Sequence, residues 1–146
     1  MPLNLIKLCV GIETVEQLEQ YRAELVRHAE ATGTEPVSMH RTRSFPRRAA
    51  EILDGGSLYW VIKGQVRARQ RIERLDEVET GEGRPHCGIV LNPEVVRVVP
   101  RPHRAFQGWR YLEEEKVPQD LYDAGGDIDA EMPDEMQAEL RRLGIL

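Results

Sequence analysis

Residues 53–72 read LDGGSLYWVIKGQVRARQRI, and the alternation inside this stretch decides the fold class. From Trp60 onward the even positions carry Trp60, Ile62, Gly64, Val66, Ala68, Gln70 and Ile72, while the odd positions carry Val61, Lys63, Gln65, Arg67, Arg69, Arg71 and Glu73. Successive side chains of a strand point to opposite faces, so a period of two describes an extended ribbon with an apolar underside and a row of cations above. Gln70 is the polar exception underneath. Asp54-Gly55-Gly56 is a turn that delivers the chain into the ribbon, and Gly64 marks a bulge or bend, because a glycine inside a strand pattern signals irregularity. At about 3.3 Å per residue the ribbon exceeds an ordinary strand, so either a bend near Gly64 or two strands is expected. GQVRARQRIERL is also rich in helix formers, but the β-favouring run Leu58 to Ile62 and the unbroken alternation favour a strand.

Upstream, Leu3 to Val10 has too few polar residues for a half-exposed strand and reads as a central one, ended by Gly11. Thr14 and Gln17 form a capping box for a helix with apolar positions at Val15, Leu18, Tyr21 or Arg22, Leu25 and Ala29, stopped by Gly33. Val37 to Thr42 reads as a strand, and Ser44 and Pro46 open a short helix that runs to Asp54. Downstream, 77–84 is an acidic glycine-rich loop, and two β-rich runs, His86 to Leu91 and Val95 to Val99, flank the turn signal Asn92-Pro93. Residues 113–146 turn acidic and Pro/Gly-punctuated, closing with a short helix over 133–143. The expectation is one α+β domain over 1–112, with a curved or barrel-like, mainly antiparallel sheet and two or three flanking helices. The acidic arm 113–146 packs on it.

The 146 residues are 40% hydrophobic and 31% charged, which fits one globular domain with a real core. No stretch approaches the ~20 apolar residues of a membrane span and the start lacks a basic leader, so a cytoplasmic protein without membrane contact is expected. Cys9 and Cys87 read as buried thiols. The net charge of -5 is segregated: -3 over 1–36, +6 over 37–112 and -8 over 113–146. A basic middle can recruit an anion despite the overall sign, or it can pair with the acidic tail.

No phosphate-cradling loop, nucleophile elbow, zinc-protease helix or Cys-x-x-Cys pair is present. His86 and Cys87 are adjacent and therefore face opposite ways on a strand. His40, His86 and His103 with Cys87 match no zinc spacing, and Asp54 reads as a turn residue. The cations carry more. Lys63, Arg67, Arg69 and Arg71 share one side of the ribbon, while Arg101, Arg104 and Arg110 fall among Phe106, Trp109 and Tyr111. Guanidinium forks pair with phosphate oxygens, and Trp109 and Tyr111 offer stacking surfaces for bases, whereas the phase of Trp60 makes it a core residue. The function expected is a non-enzymatic RNA- or nucleotide-binding module with no cofactor or metal. One alternative is a protein-interaction or homodimer module whose basic face meets the acidic tail. Another is a small hydrolase or nucleobase-modifying enzyme around Asp54, His86, Cys87 or His103.

The strings LIKLCVG, LDGGSLYWVIKGQ, RARQRI and PRPHRAFQGWRYL, spanning residues 3 to 112, resemble an uncharacterised bacterial family, a domain of unknown function. That resemblance implies no activity. More loosely, the turn Asp54-Gly55-Gly56, the ribbon Leu58 to Ile72 and the segment Phe106 to Leu112 are similar in order to the PUA-like superfamily, which includes ASCH and EVE domains. This likeness implies a small β-barrel with flanking helices that binds RNA or modified bases. The Gly-x-Lys-x-x-Glu-x-Arg signature of ASCH domains is absent, so no catalytic role is carried over.

Overall fold

The computed structural model describes residues 2–35, 37–79, 81 and 83–122. In chain order its elements are β1 (Leu3–Leu8), α1 (Val15–Thr32), β2 (Ser38–Thr42), α2 (Ala49–Ile52), β3 (Ser57–Ile62), β4 (Gln65–Val78), β5 (His86–Leu91), β6 (Val96–Pro102) and β7 (Trp109–Glu113). A 3₁₀ turn, Glu114–Lys116, follows. The helix expected over 133–143 lies outside the described residues.

The alternating stretch is two strands. Lys63 and Gly64 both take positive φ, 50° and 75°, and close a two-residue hairpin between β3 and β4. Two left-handed residues in succession match the right-handed twist of the paired strands, which is why glycine stands at the second. Trp60 faces Ala68 but Val61 faces Val66, so Arg67 is an extra residue on β4. This bulge changes the parity the sequence suggested. Trp60, Ile62, Ala68 and Ile72 join the main core, whereas Val66 crosses to a second cluster with Ile6, Tyr59, Val61 and Val98. The upper side of the ribbon is therefore not a solvated row of cations throughout, because it holds a small core of its own.

Seven strands form one mostly antiparallel sheet, six of them in the order β2-β5-β4-β3-β1-β7 with β6 paired to β4 off that path, and among the described residues only β1 and β3 run parallel. β5 pairs with Ile72–Val78 of β4 and β6 with Gln65–Arg69, so the two lie end to end along one edge of the long strand. Leu3, Asn4, Leu5 and Ile6 are buried between two neighbouring strands, as the unbroken apolar run implied. Gly56 fits the start of the hairpin against β1, because a Cβ there would lie 2.1 Å from the Leu3 carbonyl oxygen.

The sheet curls strongly. His40 on β2 and Trp60 on β3 are three strand positions apart, about 14 Å in a flat sheet. Their ring centroids nevertheless lie 4.9 Å apart. Beyond β2 the carbonyl of Ser44 accepts from Trp109 Nε1 at 3.0 Å, tying the segment to β7 at the opposite edge. β2 and β7 share no ladder among the described residues, so the curl is open and not a closed barrel. The sheet is thus mainly antiparallel and curved, with two α-helices among the described residues.

α1 covers the inner face. Thr14 accepts from the Gln17 amide at 3.2 Å, while the Gln17 side chain accepts from the Glu13 amide, one residue before the cap. Gly33 ends the helix at φ 71°. Its buried stripe is Val15, Leu18, Arg22 and Ala29, so Arg22, and not the exposed Tyr21, takes the inner position. α2 is a single turn, shorter than the expected helix from Pro46. Among the described residues no helix is long and apolar enough to cross a membrane.

Candidate functional site

The structure separates the cations that the ribbon pattern grouped together. Lys63 sits in the exposed hairpin turn, 3.9 Å from Glu13. Arg67, on the bulge, is buried, with Nε and Nη2 donating to Gln65 Oε1 at 3.2 and 3.1 Å. Arg69 makes a bidentate pair with Asp120, at 2.8 and 2.7 Å, and donates to Ser57 Oγ. That pair lines a pocket of about 270 Å³ with Glu114 and Tyr59, so acidic residues just beyond β7 occupy this part of the basic face. Burial pushes the Tyr59 hydroxyl up to about 12. Arg71 is exposed.

The second basic group does not converge with the first around one aromatic platform. Tyr59 faces Arg69, Ile6 faces Tyr59, and Arg110 faces Ile6, so Arg69 and Arg110 share the outer face of the sheet. Trp109 faces Lys7, which faces Trp60, so Trp109 belongs to the inner side, as does Tyr111. Arg110 lies 4.8 Å from the Phe106 ring centroid. Arg101 donates to the Lys116 carbonyl, and Arg104 is exposed. Tyr111 packs edge-on against Trp109 at 5.0 Å, and its hydroxyl accepts from the Arg48 amide.

A different set of cations meets at the mouth of the curl. Lys7 near the end of β1, Arg41 in β2 and Arg43 just beyond it line a groove of about 630 Å³ with Thr42, Ser44, Gln107, Gly108 and Trp109. Among the described residues no carboxylate lies within 4 Å of any of the three. Arg48, Arg69, Arg74 and Arg97 are by contrast all ion-paired. Among the described residues the groove is thus a place where three cations meet without a carboxylate, whereas Arg71, Arg104 and Arg110, which also have no ion pair there, are not among its lining residues.

Behind it, Lys7 also lines an inner cavity of about 410 Å³, together with Leu8, Cys9, Ile12, Leu18, Tyr21, Arg22, His40 and Trp60. Gln70, fully buried, ties two of these lining residues together. Its Oε1 accepts from Trp60 Nε1 at 2.8 Å and from Arg22 Nε at 3.2 Å, while its Nε2 donates to the Asn92 carbonyl at 2.9 Å. The single polar residue of the ribbon's underside is thus satisfied on both ends, as a buried amide must be. Arg22 Nη2 lies 2.6 Å from His40 Nε2, so the imidazole accepts there and is neutral. Desolvation, Arg22 and Lys7 together lower the His40 pKa to about 4. Burial likewise raises the Cys9 thiol to about 11, which keeps it protonated and unreactive at neutral pH.

A family model described as a protein of unknown function, DUF1489, matches residues 5–146. The chain belongs to the DUF1489 family. Neither a curated protein nor a solved structure matches it. In this DUF1489 protein Cys87 is fully buried, its thiol raised to about 11 by desolvation, and the neighbouring His86 points the other way on β5. Among the described residues no three His, Cys, Asp or Glu side chains are grouped to hold a metal. Sequence reasoning passed over Lys7, Arg22, Arg41 and Arg43, which stand on three separate elements. Arg22 alone left a signal, a charged residue at a core position of the helical stripe.

Proposed function

We propose that this DUF1489 protein is a non-enzymatic module that binds RNA or a nucleotide at the mouth of its curled sheet. Lys7, Arg41 and Arg43 hold phosphate oxygens, and Trp109 forms one wall of the groove. The observation that carries this reading is the convergence of three cations in one groove. Four other arginines are engaged by carboxylates, while these three cations share a groove that no carboxylate enters among the described residues. The reading extends to the fold as a PUA-like arrangement, supported by a curved, mainly antiparallel sheet with a helix across its inner side, although the curl is open where a barrel would close. The exposed Arg71, Arg101, Arg104 and Arg110 lie outside the groove and contribute at most a long-range field.

The test is anisotropy with a labelled single-stranded oligouridylate over a range of salt concentrations. Three phosphate contacts give a slope of log K against log salt of about -2 on a single strand. Absence of binding at low salt, or a slope near zero, overturns the proposal.

A further inference from the structure

The inner cavity behind α1 has a chemistry of its own. Its volume, about 410 Å³, falls in the range of small-molecule sites. Leu8, Ile12, Leu18 and Trp60 give it an apolar body, and no carboxylate is among its lining residues. Its charged and hydrogen-bonding side chains are Lys7, Arg22 and His40, with the weakly polar Tyr21 and Cys9 beside them.

Arg22 is the unusual member. It is 3% exposed, and its two hydrogen-bond partners, Gln70 Oε1 and His40 Nε2, are both neutral atoms, with the Tyr21 ring centroid 5.2 Å from the guanidinium carbon. Among the described residues Nη1 has no hydrogen-bond partner and no carboxylate lies within 4 Å of the guanidinium. A guanidinium taken out of water without a counter-ion is strongly disfavoured. Because His40 accepts from Arg22 at Nε2, its own proton stands on Nδ1, leaving a second donor at the same cavity. Lys7 adds a third at the outer end, where cavity and groove meet. Every strong polar group here donates, and the missing partner is an acceptor that carries negative charge.

We infer that this cavity binds a small molecule made of an apolar body and one oxyanion, a carboxylate or a phosphate, with Arg22 as its counter-ion and His40 and Lys7 as further donors. The inference is independent of RNA binding in the groove: either can fail while the other stands, although Lys7 borders both sites.

The experiment is isothermal titration calorimetry on the full chain with sodium benzoate and with phenyl phosphate as probes, and benzyl alcohol as the neutral control of similar size. At least one anion is expected to bind saturably, and benzyl alcohol at least about tenfold more weakly, a difference of about 1.4 kcal/mol. Binding of benzoate alone or of phenyl phosphate alone supports the inference and identifies the headgroup. Ile12→Trp, which fills the cavity from its half-buried rim, is expected to abolish binding with the melting temperature retained. Arg22→Gln is expected to weaken it about tenfold or more. Should Arg22→Gln fail to fold, Lys7→Gln and Ile12→Trp carry the test. No saturable heat with either anion up to about 10 mM, equal binding of benzyl alcohol, or unchanged binding in folded Ile12→Trp overturns the inference.

Discussion

Replacing Asp120 with Asn removes the charge that neutralises Arg69 while keeping the shape of the side chain. Arg69 Nε and Nη2 meet the two carboxylate oxygens at 2.8 and 2.7 Å, and the side chains are 26% and 23% exposed. Fully exposed ion pairs contribute about 0–1 kcal/mol, whereas stripping one partner from a buried pair costs about 3–5 kcal/mol. A bidentate pair at a quarter exposure lies between, so the substitution is expected to cost about 2 kcal/mol. The backbone bonds on either side, from Val99 to Gln119 and from Leu121 to Arg97, remain to hold the segment in place. In urea unfolding the loss appears as a midpoint lower by about 1 M at unchanged slope. Arg69→Met completes a double-mutant cycle whose coupling energy should recover most of the loss. A destabilisation below about 0.5 kcal/mol, or additive single mutants, refutes the reasoning. Asp120→Asn should also leave RNA affinity unchanged, because Arg69 stands on the outer face and Trp109 on the inner one. Tighter binding would instead make the acidic segment a competitor for the ribbon.

The neutral His40 links stability to pH. Its folded pKa, about 4, lies below the usual 6.5, so its contribution is complete above pH 6.5 and is lost as pH falls towards 4. The loss amounts to at most about 3 kcal/mol. Urea unfolding of wild type and His40→Gln across this window should show the acid-side decline flattened in the variant, and parallel curves would contradict the assignment. At the hairpin, Lys63 holds φ 50° without the ease of asparagine, so Lys63→Asn should stabilise by a few tenths to about 1 kcal/mol in a thermal melt. No gain would mean that the 3.9 Å contact with Glu13 matters more than backbone strain.

Elements governed by local chemistry were legible in the chain. The apolar run of β1, the Thr14 cap, the Gly33 stop and the strands on either side of Asn92-Pro93 all follow from neighbours within a few residues. The hairpin was legible only as a bend or a pair of strands near Gly64, and the bulge expected at Gly64 stands instead at Arg67, since an extra residue there shows only once β3 supplies a register. One inserted position then moved Val66 to the outer cluster and buried Arg67. The site was less legible. Which arginines are free depends on carboxylates far away in sequence, such as Asp120 for Arg69 and Glu19 for Arg97. The groove depends on the curl that brings Ser44 to Trp109 across 65 residues. Alternation along one strand carries no information about either.

The most direct test of the account compares two charge reversals in the same oligouridylate anisotropy assay, Arg41→Glu with Arg43→Glu in the groove and Arg71→Glu with Arg101→Glu outside it. The account predicts at least about a tenfold loss of affinity for the groove pair and little change for the other, at equal net charge. Equal losses would show that binding follows overall charge and not the groove, and a loss confined to Arg71 and Arg101 would move the interface to the outer face of the sheet.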